Sequence, residues 1–410
     1  MPELTSRFDG RRVLADLNAL RSIGAYKTGV HKPTFSEPHI HSLHWLAQRL
    51  PEAGLTATID GIGNVLGTSA KTGSKLLAGS HLESQNHAGW LDGPLGVIYA
   101  LEAARVINAD QGVKGAVEVA AWCDEEGHFG HFLGSRSYVG AVAEGEIDAA
   151  RDRSSDRTMR QALRDAGLAG RLRLQAEPGR HIGYLEAHIE QGDTLESAGL
   201  KIGVVTSIVG IWQYRITFTG EQNHAGTTRM AIRRDAGLAL ARFCVAIDDN
   251  FPALCGPRTV WTTGRIALDP GAPSIIPGRA EMLFQIRDDD PAVIARLEEH
   301  LRRMAADVTA QGRCSVEVER IRTGVPAMMN DAFQDAIEAA GATFADGRSI
   351  RMPSGAGHDA QILATIMPAA MLFVPSIGGI SHHWSENTED ADIVMGAQVF
   401  VETCRRLLAR

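Results

Sequence analysis

Residues 120–130, AAWCDEEGHFG, run from an apolar segment into three adjacent acids, Asp124, Glu125 and Glu126. Neighbouring carboxylates repel one another, so a compensating charge is expected. A divalent ion would supply it, with one carboxylate binding the ion while its neighbour stays free as a base. The alternative is an acidic loop in solvent. Upstream, GSHLESQNHAGWLDGPLGV holds His81 at the end of an apolar run and Asp92 in a Gly-rich loop that opens a helix. Imidazole and carboxylate suit zinc or a similar divalent ion. Taken singly, they read more simply as a surface His and a helix-capping Asp. In GYLEAHIEQGDTLE, period 2 puts Tyr184, Glu186, His188 and Glu190 on one face, which is either a ligand among acceptors or a solvated strand face. PSIGGISHHWSENTED places His382 and His383 after a Gly pair and an apolar strand, a ligand position or an exposed turn. Together these segments supply His, Asp, Glu, His and His at strand ends, enough for two ions sharing one carboxylate. HIHSLHW, with His39, His41 and His44, looks like a further metal patch. The helical spacing of Trp45, Leu46 and Leu50 makes it instead a helix entrance with exposed histidines.

The elements that must position these groups alternate. HSLHWLAQRLPEAG has helix spacing and ends at Gly54; KLLAGSHL reads as a buried strand, GPLGVIYALEAARVI as a helix and GAVEVAAWC as another strand. This alternation implies an α/β domain with a mixed, largely parallel sheet flanked by helices. Ligands in such folds gather at the carboxyl ends of the strands. DRSSDRTMRQALRDAGLAG is polar, then helical, and is expected on the surface. Near residue 207 the pattern changes. GIWQYRITFTGE, MAIRRDAGLALARFCVAI, RTVWTTGRIAL, RAEMLFQIRD, PAVIARLEEHLRRMAADVTAQG and CSVEVERI follow in the order β-α-β-β-α-β, the mark of a ferredoxin-like split unit. The expected organisation is a first domain of residues 1–207 and 323–410, interrupted by a smaller α+β domain over 208–322.

Composition sets the bounds. A chain of 410 residues exceeds one ordinary domain. With 41 basic and 49 acidic residues the formal charge is -8, and no basic run offers a nucleic-acid surface. No apolar stretch approaches the roughly 20 residues of a membrane helix. The N-terminal MPELTSRFDGRR is polar, without an apolar signal core. Five scattered cysteines without a CxxC fit a reduced, cytoplasmic setting.

In their order along the chain, GSHLESQ, DGPLGV, EEGHFGHFLGSRSYVG, YLEAHIEQG, FTGEQNHAGTTRMAIRRDA, IPGRAEMLFQIRD, MPSGAGHDAQ and FVPSIGGISH resemble the metal-dependent amidohydrolases that include N-carbamoyl-L-amino acid hydrolases, allantoate amidohydrolases and β-ureidopropionases. That family is related to aminoacylases and carboxypeptidase-like exopeptidases. The match runs from about residue 60 to 390, and HIEQG and NHAGTT point to the carbamoyl/ureido branch. The resemblance implies a metallo-exopeptidase-like catalytic domain, an inserted dimerisation domain and two divalent ions per subunit, zinc or manganese first, cobalt or nickel also accommodated. His81 and His188 would hold one side with Asp92 bridging, and Glu126 and His382 would complete the other. Glu125 would be the general base. His224 would reach the partner subunit's site in a homodimer and polarise the scissile carbonyl. Gln191, Arg287 and Gly357 match positions that hold substrate, Arg287 as a bidentate fork for a carboxylate. The implied activity is hydrolysis of a linear ureido or amide bond in a small carboxylate-bearing substrate, with release of ammonia and carbon dioxide from an N-carbamoyl amino acid. An aminoacylase or dipeptidase is the alternative enzyme, and a non-catalytic binding protein the alternative outside catalysis.

Three positions depart from the family pattern. Glu83 stands where Asp usually orients the first metal-binding imidazole, and is expected to do that job with a longer arm. Ser274 stands where Asn often contacts substrate, which shortens the reach. His383 and Trp384 follow His382 where a small residue is common, so they are expected to reshape the pocket mouth, with His383 a competing ligand.

Overall fold

The computed structural model describes residues 7–409. The first six residues of the polar N-terminal stretch lie outside the described residues. The chain divides into two compact units. One runs to Thr206 and takes up again with Met328–Ser354 and from His358 onward; the other comprises Ser207–Ala327 and Gly355–Gly357.

The larger unit begins with α1 (Gly10–Ser22), capped by the Asp9 carboxylate, and α2 (Glu37–Arg49), capped by Ser36. The helical run closes in a 3₁₀ turn, Leu50–Ala53, and stops at Gly54, whose φ of 70° favours glycine. Strands β1 (Thr56–Ile59), β2 (Val65–Thr68) and β3 (Lys75–His81) follow, then α3 (Pro94–Ala109), β4 (Ala116–Trp122), β5 (His181–Ile189) and β6 (Ile202–Ile208). Between β4 and β5 the polar segment ends in a short helix, Met159–Asp165, with a Thr158–Gln161 capping box. Its Met159, Ala162 and Leu163 are buried in a satellite core with Phe35, Ile62 and Leu133.

In the smaller unit, β7 (Gly210–Thr219), α4 (Ala236–Asn250), β8 (Val260–Asp269), β9 (Arg279–Asp288), α5 (Pro291–Ala310) and β10 (Ser315–Thr323) keep the expected β-α-β-β-α-β order. The sheet order is β8-β9-β7-β10, with every pairing antiparallel. Alternate residues Tyr214, Ile216 and Phe218, and Met282, Phe284 and Ile286, face the apolar sides of the two helices, including Phe243, Ile247, Ile294 and Leu297. The helix expected from Met230 begins later. Met230–Ile232 is a 3₁₀ turn, and the Asp235 carboxylate caps α4 by accepting the Leu238 N–H.

The chain then adds α6 (Asp331–Phe344), β11 (Ser349–Ser354), β12 (Ala369–Val374) and α7 (Asp390–Leu408) to the larger unit. Its sheet runs from the short strand Ala327–Met328 through β6-β12-β5-β3-β4-β2-β1, with β11 beside β6. The centre, β12-β5-β3-β4, is parallel, while β6, β2 and β1 pair antiparallel. Every residue of β4 and of β12 is buried, as a parallel sheet covered on both faces requires. The face shared by Tyr184, Glu186 and His188 is therefore interior, not solvated. The sheet is thus mixed, and its four central strands, parallel to one another, carry the candidate ligands at their ends.

Candidate metal centre

His81 is the last residue of β3, and Glu125 and Glu126 follow the end of the adjacent parallel strand β4. His188 is the penultimate residue of β5. Asp92 precedes α3, and His382 lies in the loop after β12. The parallel register thus brings residues far apart in sequence to one end of the sheet. Gly93 is needed there. Its φ is +88°, and a Cβ would meet the His81 ring at 2.5 Å.

Two ligand groups result, His81–Asp92–His188 and Asp92–Glu126–His382, each with its donor atoms within 4.8 Å of one another. Asp92 belongs to both. Its Oδ1 lies 3.1 Å from His188 Nε2 and 3.5 Å from His81 Nε2, and its Oδ2 lies 3.3 Å from His382 Nε2. His382 Nε2 is in turn 3.7 Å from Glu126 Oε2. The two buried imidazoles have their far nitrogens occupied: His81 Nδ1 meets the Glu83 carbonyl at 3.1 Å and His188 Nδ1 the Ile189 carbonyl at 2.9 Å. A carbonyl only accepts, so Nδ1 carries the hydrogen and Nε2 offers its lone pair to the centre.

The electrostatics suit a cation. Burial alone would lower the His81 pKa, but Glu125, Asp92 and Glu83 hold it well above the usual imidazole range. His382 is pushed up to about 9, chiefly by its bond to Asp92. Burial would raise Asp92, yet His188, His382 and His81 keep it well below the usual carboxylate range. Glu125 is driven well above its usual range by burial and by Glu126, Asp359 and Asp92, against the pull of His81. This is a local excess of buried negative charge around imidazole lone pairs, and the donor set fits two divalent ions sharing Asp92. Glu125 Oε2 sits 3.8 Å from His81 Nε2 and belongs to neither ligand group.

Several supporting residues were invisible in the sequence. Asp124 is buried with φ 61°, and its carboxylate accepts the N–H groups of His128, Phe129 and Gly130 and the Thr34 hydroxyl. It folds the loop that presents its two acidic neighbours. Gln85 holds Glu126 through both its backbone and side-chain amides. Glu386, fully buried, accepts from Leu91 N, Asp92 N and Ser381 Oγ, and so fixes the Asp92 loop. Such roles arise from tertiary contacts between distant segments; only the bare presence of Asn, Gln, Asp or Glu near a motif hinted at them.

Three expectations change. Glu83 does not orient His81 through its side chain, which stays 3.9 Å from Nδ1; its backbone carbonyl does so, and the carboxylate instead accepts the Glu125 N–H at 2.6 Å. The extra methylene carries the carboxylate past the imidazole. His39 is not an exposed histidine of the α2 entrance but fully buried, because its face of the helix turns toward Glu83; His41 and His44 are exposed. His383 is in neither ligand group. Its Nδ1 is engaged by Ser385, whereas a φ of 54° at His382 turns that ring toward Asp92.

Gln191, also at positive φ (59°), donates to Asp92 Oδ2 at 3.0 Å and so lies at the centre. The remaining candidates belong to the smaller unit. His224 and Ser274 are neighbours there: Asn223–His224 pairs with Ile275–Ile276, and Ala225 N donates to the Ser274 carbonyl. His224 Nδ1 accepts from Gly226 N and Thr227 N, which leaves Nε2 as the protonated, exposed nitrogen of a neutral ring. Arg287 on β9 donates to the Gly355 carbonyl at 2.9 Å, in the short stretch that also carries Gly357. Burial lowers its pKa.

Residues 73–406 match the peptidase family M20/M25/M40. An N-carbamoyl-L-amino acid amidohydrolase of Geobacillus stearothermophilus is 32% identical over 97% of this chain and 98% of its own length. An allantoate amidohydrolase of Bacillus subtilis is 31% identical over 86% and 87%. A crystal structure of an amidase of the hydantoinase/carbamoylase family from Burkholderia phymatum superposes with a TM-score of 0.86, at 44% identity and 99% coverage of both chains.

Proposed function

Because the chain belongs to the peptidase family M20/M25/M40, with near full-length relatives named as amidohydrolases, we propose that it is a metal-dependent amidohydrolase of linear ureido bonds, acting on N-carbamoyl-L-amino acids or closely related ureido acids. It is a hydrolase of carbon–nitrogen bonds in linear amides. The observation that carries the reading is Asp92, whose two oxygens face separate imidazole groups while Glu125 stands unligated beside them.

His81, His188 and Asp92 would hold one ion, and Asp92, Glu126 and His382 the other, with zinc or manganese favoured and cobalt or nickel compatible. When bound, the ions supply Lewis acidity toward a carbonyl oxygen and acidify water. Glu125 takes the proton of the attacking water and passes it to the departing nitrogen. His224 of a second copy donates from Nε2 to the developing oxyanion. Arg287 pairs with the substrate carboxylate, while Gln191, Ser274 and Gly357 line the substrate. Carbamate freed from an N-carbamoyl amino acid breaks down to ammonia and carbon dioxide.

A homodimer through the smaller unit is part of this reading. Strand β8 is an edge, and Ile266 and Leu268 on it, with Leu238 and Val245 on α4, are exposed apolar side chains. A cytoplasmic setting accords with five free cysteines. Among the described residues no helix is long and apolar enough to cross a membrane.

The test is hydrolysis by metal-loaded protein of N-carbamoyl-L-amino acids, N-carbamoyl-β-alanine and allantoate beside N-acetyl amino acids, with chelated protein as blank. Metal-dependent ammonia release from ureido compounds is expected. Cleavage of the acetyl compounds alone would make the protein an aminoacylase, and silence on both would overturn the reading.

A further inference from the structure

His39 and Glu83 form a buried pair that neither metal binding nor substrate binding employs. Both side chains are wholly inaccessible to solvent. His39 Nδ1 accepts the Phe35 backbone N–H at 3.0 Å. An amide N–H only donates, so Nδ1 must present its lone pair, and the single hydrogen of a neutral ring must sit on Nε2. Burial, with His128, Lys32 and His81 nearby, lowers the ring's pKa to about 3, so the ring is neutral. Nε2 lies 3.6 Å from Glu83 Oε2, just beyond hydrogen-bond distance, and neither atom has a hydrogen-bond partner elsewhere. The other oxygen of the same carboxylate, Oε1, accepts the Glu125 backbone N–H at 2.6 Å.

We propose that His39 is a positioning residue for Glu125, acting through Glu83. A line of contacts runs from the Phe35 amide through the His39 ring and the Glu83 carboxylate to the backbone of Glu125. The Glu83 carboxylate has a competing partner, His81 Nδ1, only 3.9 Å from Oε1. The Nε2–H of His39 draws Oε2 the other way and keeps Oε1 on the Glu125 amide. Where that amide is held decides where the Glu125 carboxylate stands. The catalytic part of the inference rests on Glu125 being the base; the structural part does not.

The experiment compares the full metal-loaded chain with His39→Phe, which fills the volume without a donor, and His39→Gln, whose amide can donate from near the Nε2 position. Metal content, melting temperature, kcat and KM on an N-carbamoyl-L-amino acid are measured. The backbone amide of Glu125 and the His39 ring nitrogens are followed by ¹⁵N NMR. The wild-type ring is expected as the Nε2–H tautomer. His39→Phe should keep its ions and KM, shift the Glu125 amide and lose on the order of 10- to 100-fold in kcat, and His39→Gln should recover most of the loss. Wild-type kcat with an unmoved Glu125 amide in His39→Phe overturns the proposal. So does an Nδ1–H or doubly protonated ring, or an equal loss in both variants accompanied by loss of ions or of folding. If the wild type cleaves no ureido or acyl compound, the functional reading fails by itself, and the ring tautomer and the Glu125 amide shift still decide whether His39 positions that residue.

Discussion

Gln85 grips Glu126 from two sides: its backbone N–H meets Oε1 at 3.0 Å and its side-chain amide meets Oε2 at 2.6 Å. Arg153 closes the arrangement by donating to both the Gln85 amide oxygen and the Glu126 carbonyl. Each carboxylate oxygen keeps a lone pair for a cation. Replacing Gln85 by Leu should therefore leave the fold intact but weaken the ion shared by Glu126 and His382 by about 10- to 100-fold. Competition with a coloured chelator checks this, and an unchanged affinity would remove Gln85 from the centre.

Asp92 is the one residue common to both ligand groups. Asp92→Asn should lower the affinity for both ions, whereas His382→Ala should spare the ion held by His81 and His188. Metal content after dialysis against a fixed free-ion concentration separates the two. Equal stoichiometry in both variants would mean that Asp92 does not bridge.

The proposed role of His224 across a homodimer can be tested by mixing variants. Glu125→Gln and His224→Ala should each be inactive alone. Mixed under conditions that exchange subunits, half the dimers pair one chain of each kind. Each of these then has one site with both an intact base and a partner's histidine, and about a quarter of wild-type activity should return. No recovery, with exchange confirmed by mass spectrometry, would place His224 outside the partner's site.

Away from the centre, Glu118 on β4 accepts from Ser69 N, from two nitrogens of Arg180 and lies 2.9 Å from His181 Nε2. Burial would raise its pKa, but the bonds from His181, Arg180 and Ser69 hold it down to about 2, from about 4.5 in the unfolded chain. A depressed folded pKa contributes stability that is complete above the unfolded value and lost as pH falls through the folded one. Glu118→Gln should thus cost about 3 kcal/mol at pH 7, with the gap to wild type closing between pH 4.5 and 2 in urea unfolding. A pH-independent gap would exclude the linkage.

Much of the architecture was legible because it follows from periodicity. Runs apolar at all but one position, such as AVEVAAW, became covered parallel strands, and the alternation in RAEMLFQIRD became β9 with Met282, Phe284 and Ile286 inward. The two candidate ligand groups were legible because His, Asp and Glu stood at strand ends. Less was legible where a role depends on which distant segment a side chain meets. His39, His41 and His44 share one helix, yet only packing against the Glu83 loop buries the first. Asp124 looks like its acidic neighbours until three backbone N–H groups are seen to converge on it. The start of α4 was missed because Met230 and Ile232 continue the apolar pattern, whereas the Asp235 cap sets the boundary.

The most direct test of the account titrates chelated protein with zinc or manganese while ammonia release from an N-carbamoyl-L-amino acid is followed. Activity should be absent in the chelated protein, rise with added ion and level off at two ions per chain. Full turnover without bound ion, or a plateau reached with no ion at the Asp92 centre, would contradict it.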